Sequence, residues 1–145
     1  MREIKFRAWD ENSQEMIYEV GITPEGIPYS IPENAEGCDQ FNYFLTCHKM
    51  QYTGLKDKNG REIYEGDILK RTVTVVMYGS GKPSKDIDEY LEVEYREDYA
   101  GFYIGERPLF AYVDNTRDVD TGCRCTKAEV IGNIYKDPEL LEAAE

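Results

Sequence analysis

The sequence predicts a mainly β protein, and three observations support this fold class. Short stretches of alternating or β-branched residues recur along the 145 residues, each bounded by Gly, Pro, Asn or Asp. Tyrosine, which suits half-buried strands, occurs 12 times, against five Phe and one Trp. No long segment has the 3.6-residue period of a helix. Such a chain favours a small barrel or a sandwich, and its length suits one barrel with an extension.

The N-terminal segment predicts a β-hairpin followed by a long loop. Ile4, Phe6 and Ala8 alternate with polar or charged neighbours, so one face of a first strand is expected to be buried. After a polar turn, residues 15–20 return as a second strand. Proline and glycine are then spaced through residues 21–40, and they exclude a helix and a central strand there.

The most informative stretch is MQYTGLKDKNGREIYEGDILK, residues 50–70. Its Asn59-Gly60 pair predicts a type I′ hairpin turn, in which both residues have positive φ. Gly66 offers a second tight bend, and the Asp67 side chain can accept hydrogen bonds from the backbone amides of that bend. This stretch is therefore expected to set the register of the strands around it.

The rest of the chain predicts short strands separated by polar loops. Residue alternation, β-branched residues and turn signals place the boundaries. We expect strands at residues 41–47, 68–77, 91–95, 99–105, 109–113 and 129–135, with loops at 78–88 and 114–126. Gly132 is expected to mark a bulge in the last strand. Asp137-Pro138-Glu139 then predicts the start of a short C-terminal helix.

Three stretches resemble the YopX family of small proteins encoded by bacteriophages and prophages. They are residues 50–70, the start REIKFRAWD followed by EMIYEV, and the close EVIGNIYKDPELL. The resemblance implies a small SH3-like β-barrel at residues 49–145 with a short C-terminal helix. Residues 1–48 would form an N-terminal β-hairpin extension packed on that barrel. The resemblance implies no catalytic residues, because no biochemical activity is established for the family.

The residues of these motifs that permit or stabilise tight turns are interpreted as structural. Glycine adopts positive φ without strain, and Asp and Asn side chains accept hydrogen bonds from nearby amides. The set comprises Gly54, Asp57, Asn59, Gly60, Tyr64, Gly66, Asp67, Gly132 and Asn133.

The charge of the chain restricts the classes of partner. A formal net charge of -12, from 17 basic and 29 acidic residues, opposes nucleic acids and anionic membranes and favours a basic partner. Residues 49–71 differ, because they hold six basic and four acidic residues close to two tyrosines. A nucleic-acid-binding barrel is therefore the alternative function. Its contacts would be Lys56, Lys58, Arg61, Tyr52 and Tyr64.

The cysteines are the soft metal ligands that the sequence offers. Cys38, Cys47, Cys123 and Cys125 could hold zinc in principle. However, one residue separates the last two, whereas structural zinc sites usually have at least two between paired ligands. No metal and no cofactor is therefore expected, and the cysteines are interpreted as free thiols.

Catalytic chemistry has little support in the sequence. Glu92 and Glu94 share a strand face, as a pair of catalytic acids could, but a charged solvent face is the simpler interpretation. His48 is the sole histidine, and no nucleophile elbow accompanies it. An enzyme with a carboxylate-based site is therefore the third hypothesis, and no catalytic residue is assigned.

An acidic loop near the C-terminus raises the question of a calcium site. Asp114, Asp118 and Asp120 precede Gly122, but their spacing does not follow the alternating ligand positions of a calcium-binding loop. A solvated acidic loop is the preferred interpretation.

These observations together favour a non-enzymatic protein-interaction module. Tyr-rich strands and long loops suit recognition of an unidentified host or phage protein, and a homo-oligomer is left open. Neither a targeting segment nor a membrane-spanning apolar run is visible. The protein is therefore expected in the cytoplasm of a bacterial host.

Overall fold

The computed structural model describes residues 3–30, 42–76, 81, 83–118 and 122–142. The chain divides into two compact units, Met1–Gly54 and Leu55–Glu145. Antiparallel strands dominate both units, and the two helices of the described residues are five and four residues long. The prediction of a mainly β protein is confirmed.

The first unit is organised around its first strand. Its strands are β1 (Phe6–Asp10), β2 (Glu15–Ile22), β3 (Pro28–Ser30), β4 (Asn42–Tyr43) and β5 (His48–Lys56), of which β5 continues into the second unit. Strand β1 pairs with β2 on one edge and with β5 on the other. Strand β3 pairs with both β2 and β4, which gives the order β4-β3-β2-β1-β5.

The predicted loop at residues 21–40 differs from the structure. Pro28 begins β3, and a proline is tolerated at the first position of a strand, where the missing N–H costs little. The remaining residues of that loop, 31–40, lie outside the described part of the chain. The strand predicted at 41–47 is reduced to the two residues of β4.

The predicted alternation of the first strand also differs, because Arg7 is only 1% exposed. Ala8 and Trp9, which follow it, are buried as well. Successive buried residues point to opposite faces of a strand, so β1 is covered on both faces, as its central place in the sheet allows.

The second unit is organised around one long strand. Its elements are β6 (Glu62–Tyr64), β7 (Asp67–Val75), β8 (Lys85–Arg96), β9 (Gly101–Ile104), β10 (Arg107–Pro108), α1 (Leu109–Val113), β11 (Arg124–Cys125), β12 (Glu129–Asn133) and α2 (Glu139–Glu142). Strand β7 pairs with β8 on one edge and with β11 and β12 on the other. Strand β9 pairs with β8, and β10 pairs with β9.

The core of the second unit is apolar and draws on several of these elements. Its buried residues are Ile63, Leu69, Val93, Ile104, Leu109, Tyr112, Val113, Ala128 and Val130. Leu55, Leu91 and Phe102 pack against them. Tyr112 is the polar member of this core, and its hydroxyl therefore requires a partner.

Residues 109–113 form helix α1, not the predicted strand. Leu109, Tyr112 and Val113 are buried while Phe110 is exposed, which is the three- and four-residue spacing of a helix. Pro108 stands immediately before the first turn, where a proline leaves no helical hydrogen bond unmade.

The predicted loop at residues 78–88 is also shorter than expected, because β8 already begins at Lys85. Cross-strand bonds support this extension. The hydroxyl of Thr74 donates to Asp86 at 2.8 Å, and that of Thr72 donates to Asp88 at 2.8 Å. Such polar pairs on an exposed face add to the stability of the paired strands.

The turn at Asn59-Gly60 differs in type from the prediction. Gly60 has a φ of 82°, whereas Asn59 is not among the residues with positive φ, so the turn is not type I′. The Gly60 amide donates to the Asp57 carbonyl oxygen at 3.0 Å, and the Asp57 amide donates to the Arg61 carbonyl oxygen at 2.9 Å. A glycine at positive φ after a tight turn is the arrangement of three-residue hairpin loops.

Candidate functional site

Strands β7 and β8 present one face of the second unit as three successive layers. Alternate residues of a strand share a face, and directly paired residues lie side by side. The paired residues on this face are Leu69 with Leu91, Arg71 with Glu89, and Val73 with Ile87. An ionic layer therefore lies between two apolar layers.

The middle layer is part of a cluster of charged and polar side chains, termed here the ionic cluster: Arg71, Glu89, Arg107, Tyr112 and Asp118. Arg71 and Asp118 are its buried ion pair, with side chains 2% and 5% exposed. The distance from Arg71 Nη2 to Asp118 Oδ2 is 3.1 Å, and Arg107 Nη2 lies 3.2 Å from the same oxygen. Asp118 thus holds both guanidinium groups at hydrogen-bond distance.

Glu89 is held more loosely by the same two arginines. Arg71 Nη2 lies 3.5 Å from each of its carboxylate oxygens, and Arg107 Nη1 lies 3.7 Å from Oε1. The strongest contact of Glu89 is with Tyr112, whose hydroxyl donates to Oε1 at 3.1 Å. The two carboxylates of the ionic cluster therefore differ in how fully they are satisfied.

Two neutral groups adjoin these charges. Burial, followed by the negative charge of Glu89, raises the pKa of Tyr112 above its ordinary value of 10.0. Burial also raises the pKa of the Cys125 thiol, although Arg71 Nη1 donates to its sulfur at 3.6 Å. The Arg71 guanidinium lies over the Tyr112 ring, 4.2 Å from its centroid, as in a cation–π contact.

A cavity of about 690 Å³ opens beside the ionic cluster. Apolar side chains of the sheet face and of α2 form much of its lining, and three members of the ionic cluster also contribute to it. The apolar lining residues are Val73, Val75, Ile87, Leu91 and Leu141, and the polar ones include Glu89, Arg107 and Asp118. An apolar cavity with a few convergent polar groups is the usual form of a binding site.

Two groups beside the charges of the ionic cluster are held in their neutral forms. Tyr112 stays neutral well above neutral pH, and the raised pKa of Cys125 keeps its thiol from acting as a thiolate nucleophile. Both carboxylates of the ionic cluster face arginines.

The motif residues of the first turn lie together and have a structural role. Asp57 Oδ1 accepts the amides of Asn59 and Arg61, each at 2.9 Å. Its Oδ2 accepts the amide of Val130 in β12 at 2.9 Å. Asp57 therefore fixes the turn and also ties it to the last strand of the second unit.

The second bend is fixed in a similar way. Gly66 has a φ of 83°, its amide donates to the Val93 carbonyl oxygen, and its own carbonyl oxygen accepts the amide of Ile134. Asp67 Oδ2 accepts the amide of Tyr64 at 2.8 Å. The structure thus contains a hydrogen bond of the predicted kind, from a backbone amide of this bend to the Asp67 side chain.

The remaining motif residues lie within strands, Gly54 in β5 and both Gly132 and Asn133 in β12. Gly54 has a φ of 87°. The register of β12 shifts between Val130 and Gly132, and the Asn133 Oδ1 accepts the amides of Tyr135 and Lys136.

The residues of the nucleic-acid hypothesis do not form the expected surface. Tyr52 and Tyr64 are 5% and 4% exposed, so neither ring offers a face on which a base could stack. Lys58 lies 3.8 Å from Glu129. Lys56 and Arg61 are exposed.

Other basic residues of the 49–71 stretch have partners. Lys49 donates to the Gly26 carbonyl oxygen, Lys70 lies 4.0 Å from Asp88, and Arg71 belongs to the ionic cluster. Much of the local positive charge is therefore already compensated.

Among the described residues, those of the metal hypothesis form no ligand group, and those of the enzyme hypothesis lie outside the cavity. Cys38 lies outside the described residues, and within the described ranges no group of three or more His, Cys, Asp or Glu side chains could hold a metal ion. His48 Nε2 pairs with Glu11 at 2.7 Å. Burial, followed by the charge of Glu94, raises the pKa of Glu92, but neither carboxylate lines the cavity.

The ionic cluster was missed by sequence reasoning, and Asp118, interpreted as a solvated loop residue, is a buried ion-pair partner. Its members come from β7, β8, β10, α1 and the segment after α1, so no local spacing connects them. One signal was available, because Arg71 alternates in phase with Leu69 and Val73 and must share their face.

A known protein family matches nearly the whole chain. The family model described as YopX protein matches residues 5–142. The chain belongs to the YopX family. No curated protein matches the sequence.

Among solved structures, the family member is similar to the crystal structure of protein EF1440 from Enterococcus faecalis. The two are 28% identical, with a TM-score of 0.59, over 97% of this chain and 99% of that one. In the part of the chain that the structure describes, no helix is long and apolar enough to cross a bilayer.

Proposed function

We propose that this YopX-family protein is a non-enzymatic interaction module that binds a protein partner through the cavity beside the ionic cluster. In this proposal it is encoded by a phage or prophage and acts in the cytoplasm of the bacterial host. Its second unit serves as a small SH3-like barrel. The partner is a host or phage protein, or a second copy of the chain.

The cavity is the observation that carries the proposal. Its volume, about 690 Å³, accommodates a large side chain or a short segment of a partner. Ile87 lines it and is 45% exposed. Burying such a residue against a partner would gain hydrophobic free energy.

The neutral and ion-paired groups around the cavity support binding over reaction. Side chains held by several partners keep one geometry, which favours recognition of a defined shape. The overall charge of -12 favours a partner of opposite charge.

Affinity capture with matched variants tests this function. The tagged protein and the Ile87→Lys and Thr74→Lys variants are expressed in bacterial host cells, and the retained proteins are identified by mass spectrometry. Ile87→Lys places a charge in the cavity. Thr74→Lys places the same charge on the opposite face of the neighbouring strand, where the Thr74 hydroxyl bonds Asp86.

The expected result is a protein retained by the wild type and by Thr74→Lys but lost with Ile87→Lys, while all three melt at similar temperatures. Retention of the same proteins by Ile87→Lys would show that the cavity is not the binding surface. Mixed tagged and untagged copies distinguish a second copy of this chain from a different partner.

A further inference from the structure

We infer that the cavity receives a basic side chain, Lys or Arg, of the protein partner, and that Glu89 binds its charged end. This inference rests on the proposed function and names the chemistry of the occupant. Three observations support it: the contacts of Glu89 to arginine are longer than those of Asp118, much of the lining of the cavity is apolar, and strand β8 is acidic.

Of the two carboxylates of the ionic cluster that line the cavity, Glu89 has the weaker contacts to arginine. The arginine nitrogens lie 3.1 and 3.2 Å from Asp118, but 3.5 and 3.7 Å from Glu89. The Glu89 Oε2 has its contact to Arg71 at the outer limit of a hydrogen bond. A donor that enters the cavity would compete at Glu89 with arginine contacts of 3.5 and 3.7 Å, whereas at Asp118 it would compete with contacts of 3.1 and 3.2 Å.

The lining of the cavity fits the other part of a basic side chain. Lys and Arg have aliphatic stems that pack along apolar surface while their charged ends reach a polar group. Val73, Ile87 and Leu141 supply the apolar surface, and Glu89 lies one layer further along the same sheet face. One basic side chain can therefore pack its stem on the apolar lining and bind Glu89 with its charged end.

The charges of β8 also favour a cation. The half of the strand that borders the cavity carries Asp86, Asp88 and Glu89, against Lys85. A cation that approaches this strand is attracted, whereas an anion is repelled.

A carboxylate bound to Arg107 is the rival occupant, since Arg107 also lines the cavity. Its Nη2 is already 3.2 Å from Asp118 and its Nη1 faces Glu89. An entering anion would therefore compete with two carboxylates that are in place, and it would lie close to both.

Small probes of matched size distinguish these occupants. The Ile, Leu and Val methyl groups are isotope-labelled, and their NMR signals are followed during titration with n-butylguanidinium, n-butylammonium, butyrate or n-butanol at constant ionic strength. We expect the two cations to shift the Ile87 methyl signals and to bind more tightly than butyrate and butanol.

Two variants and a control test the role of Glu89. Glu89→Gln keeps an acceptor for the Tyr112 hydroxyl but removes the charge, and it should weaken binding of the cations about tenfold. Ile87→Lys, at a half-exposed position, places an ammonium in the cavity and should weaken the cations likewise. Glu94→Gln, an exposed acid of the same strand that does not line the cavity, should leave binding unchanged.

Tighter binding of butyrate, or equal binding of butanol, would overturn the inference, as would unchanged cation binding in the two cavity variants. If Glu89→Gln does not fold, Ile87→Lys decides the question alone. Failure of the cations to bind, together with loss of the partner in Ile87→Lys, would reject this inference but leave the proposed function standing. Unchanged partner capture in Ile87→Lys would reject the proposed function itself.

Discussion

At the scale of single residues, the family motifs act through backbone amides. The side chain of Asp57 accepts hydrogen bonds from three backbone amides, that of Asp67 from one and that of Asn133 from two, and each fixes a turn. A short side chain that accepts hydrogen bonds from the amides of its own turn favours that turn over other backbone conformations. The sequence could predict these residues, because turn chemistry is local.

Gly66 is the turn residue whose replacement should be most costly. Its φ of 83° is strained for any residue with a Cβ, and most of all for a β-branched one. We expect Gly66→Val to lower the free energy of unfolding by about 1–3 kcal/mol, measured by urea denaturation. The matched control is Gly101→Val, since the Gly101 φ is not positive and a Cβ there meets nothing nearer than 3.8 Å. Equal losses in the two variants would refute the role of φ.

Tyr112 predicts how the protein responds to alkaline pH. Its folded-state pKa is raised above the ordinary 10.0, so the unfolded chain loses this proton first. The stability that neutral Tyr112 provides is fully present below pH about 10 and is lost as pH rises toward the raised pKa. Tyr112→Phe should therefore flatten the decline of unfolding free energy above that pH, and an unchanged slope would contradict the burial of its hydroxyl.

At the scale of elements, the local residue pattern predicted that strands occur. It was less accurate for the residues at which they begin and for the one segment that forms a helix instead. Residues 109–113 satisfy both a two-residue and a helical period, and Pro108 before them was the signal that favours a helix. Strand β8 extends to Lys85 through bonds to β7, so its start depends on a partner that local sequence does not contain.

The ionic cluster shows the same limit for side chains. Arg71 could be placed on a buried face from alternation alone, but its acidic partner is 47 positions away in sequence. Fold class and turn residues were therefore predictable, while the candidate site required tertiary structure.

Asp118 should stabilise the second unit by compensating two arginines. Asp118→Asn leaves the looser contact to Glu89 as the remaining ion pair of the buried Arg71, and loss of one partner from a buried pair costs about 3–5 kcal/mol. The control is Asp98→Asn, which removes an exposed pair with Arg96 and should cost far less, because solvent screens such a pair. Chemical denaturation measures both, and similar losses would show that the ionic cluster adds little.

At the scale of the whole molecule, the net charge and the buried tyrosines argue against nucleic acid as the partner. We expect no measurable binding of single- or double-stranded DNA or RNA at physiological ionic strength. Replacing Lys56, Lys58 and Arg61 together by Ser is the decisive comparison. A salt-dependent complex that this triple variant loses would restore the nucleic-acid function.

The central claim is that the cavity of the second unit is the surface that meets a partner. Site-specific photo-crosslinking tests it most directly. The crosslinker p-benzoylphenylalanine is placed either at position 87, in the cavity, or at position 74, on the opposite face of the sheet. We predict that irradiation of host cells gives a discrete covalent product with one protein from position 87 and none from position 74. The same products from both positions, or products from position 74 alone, would contradict the claim.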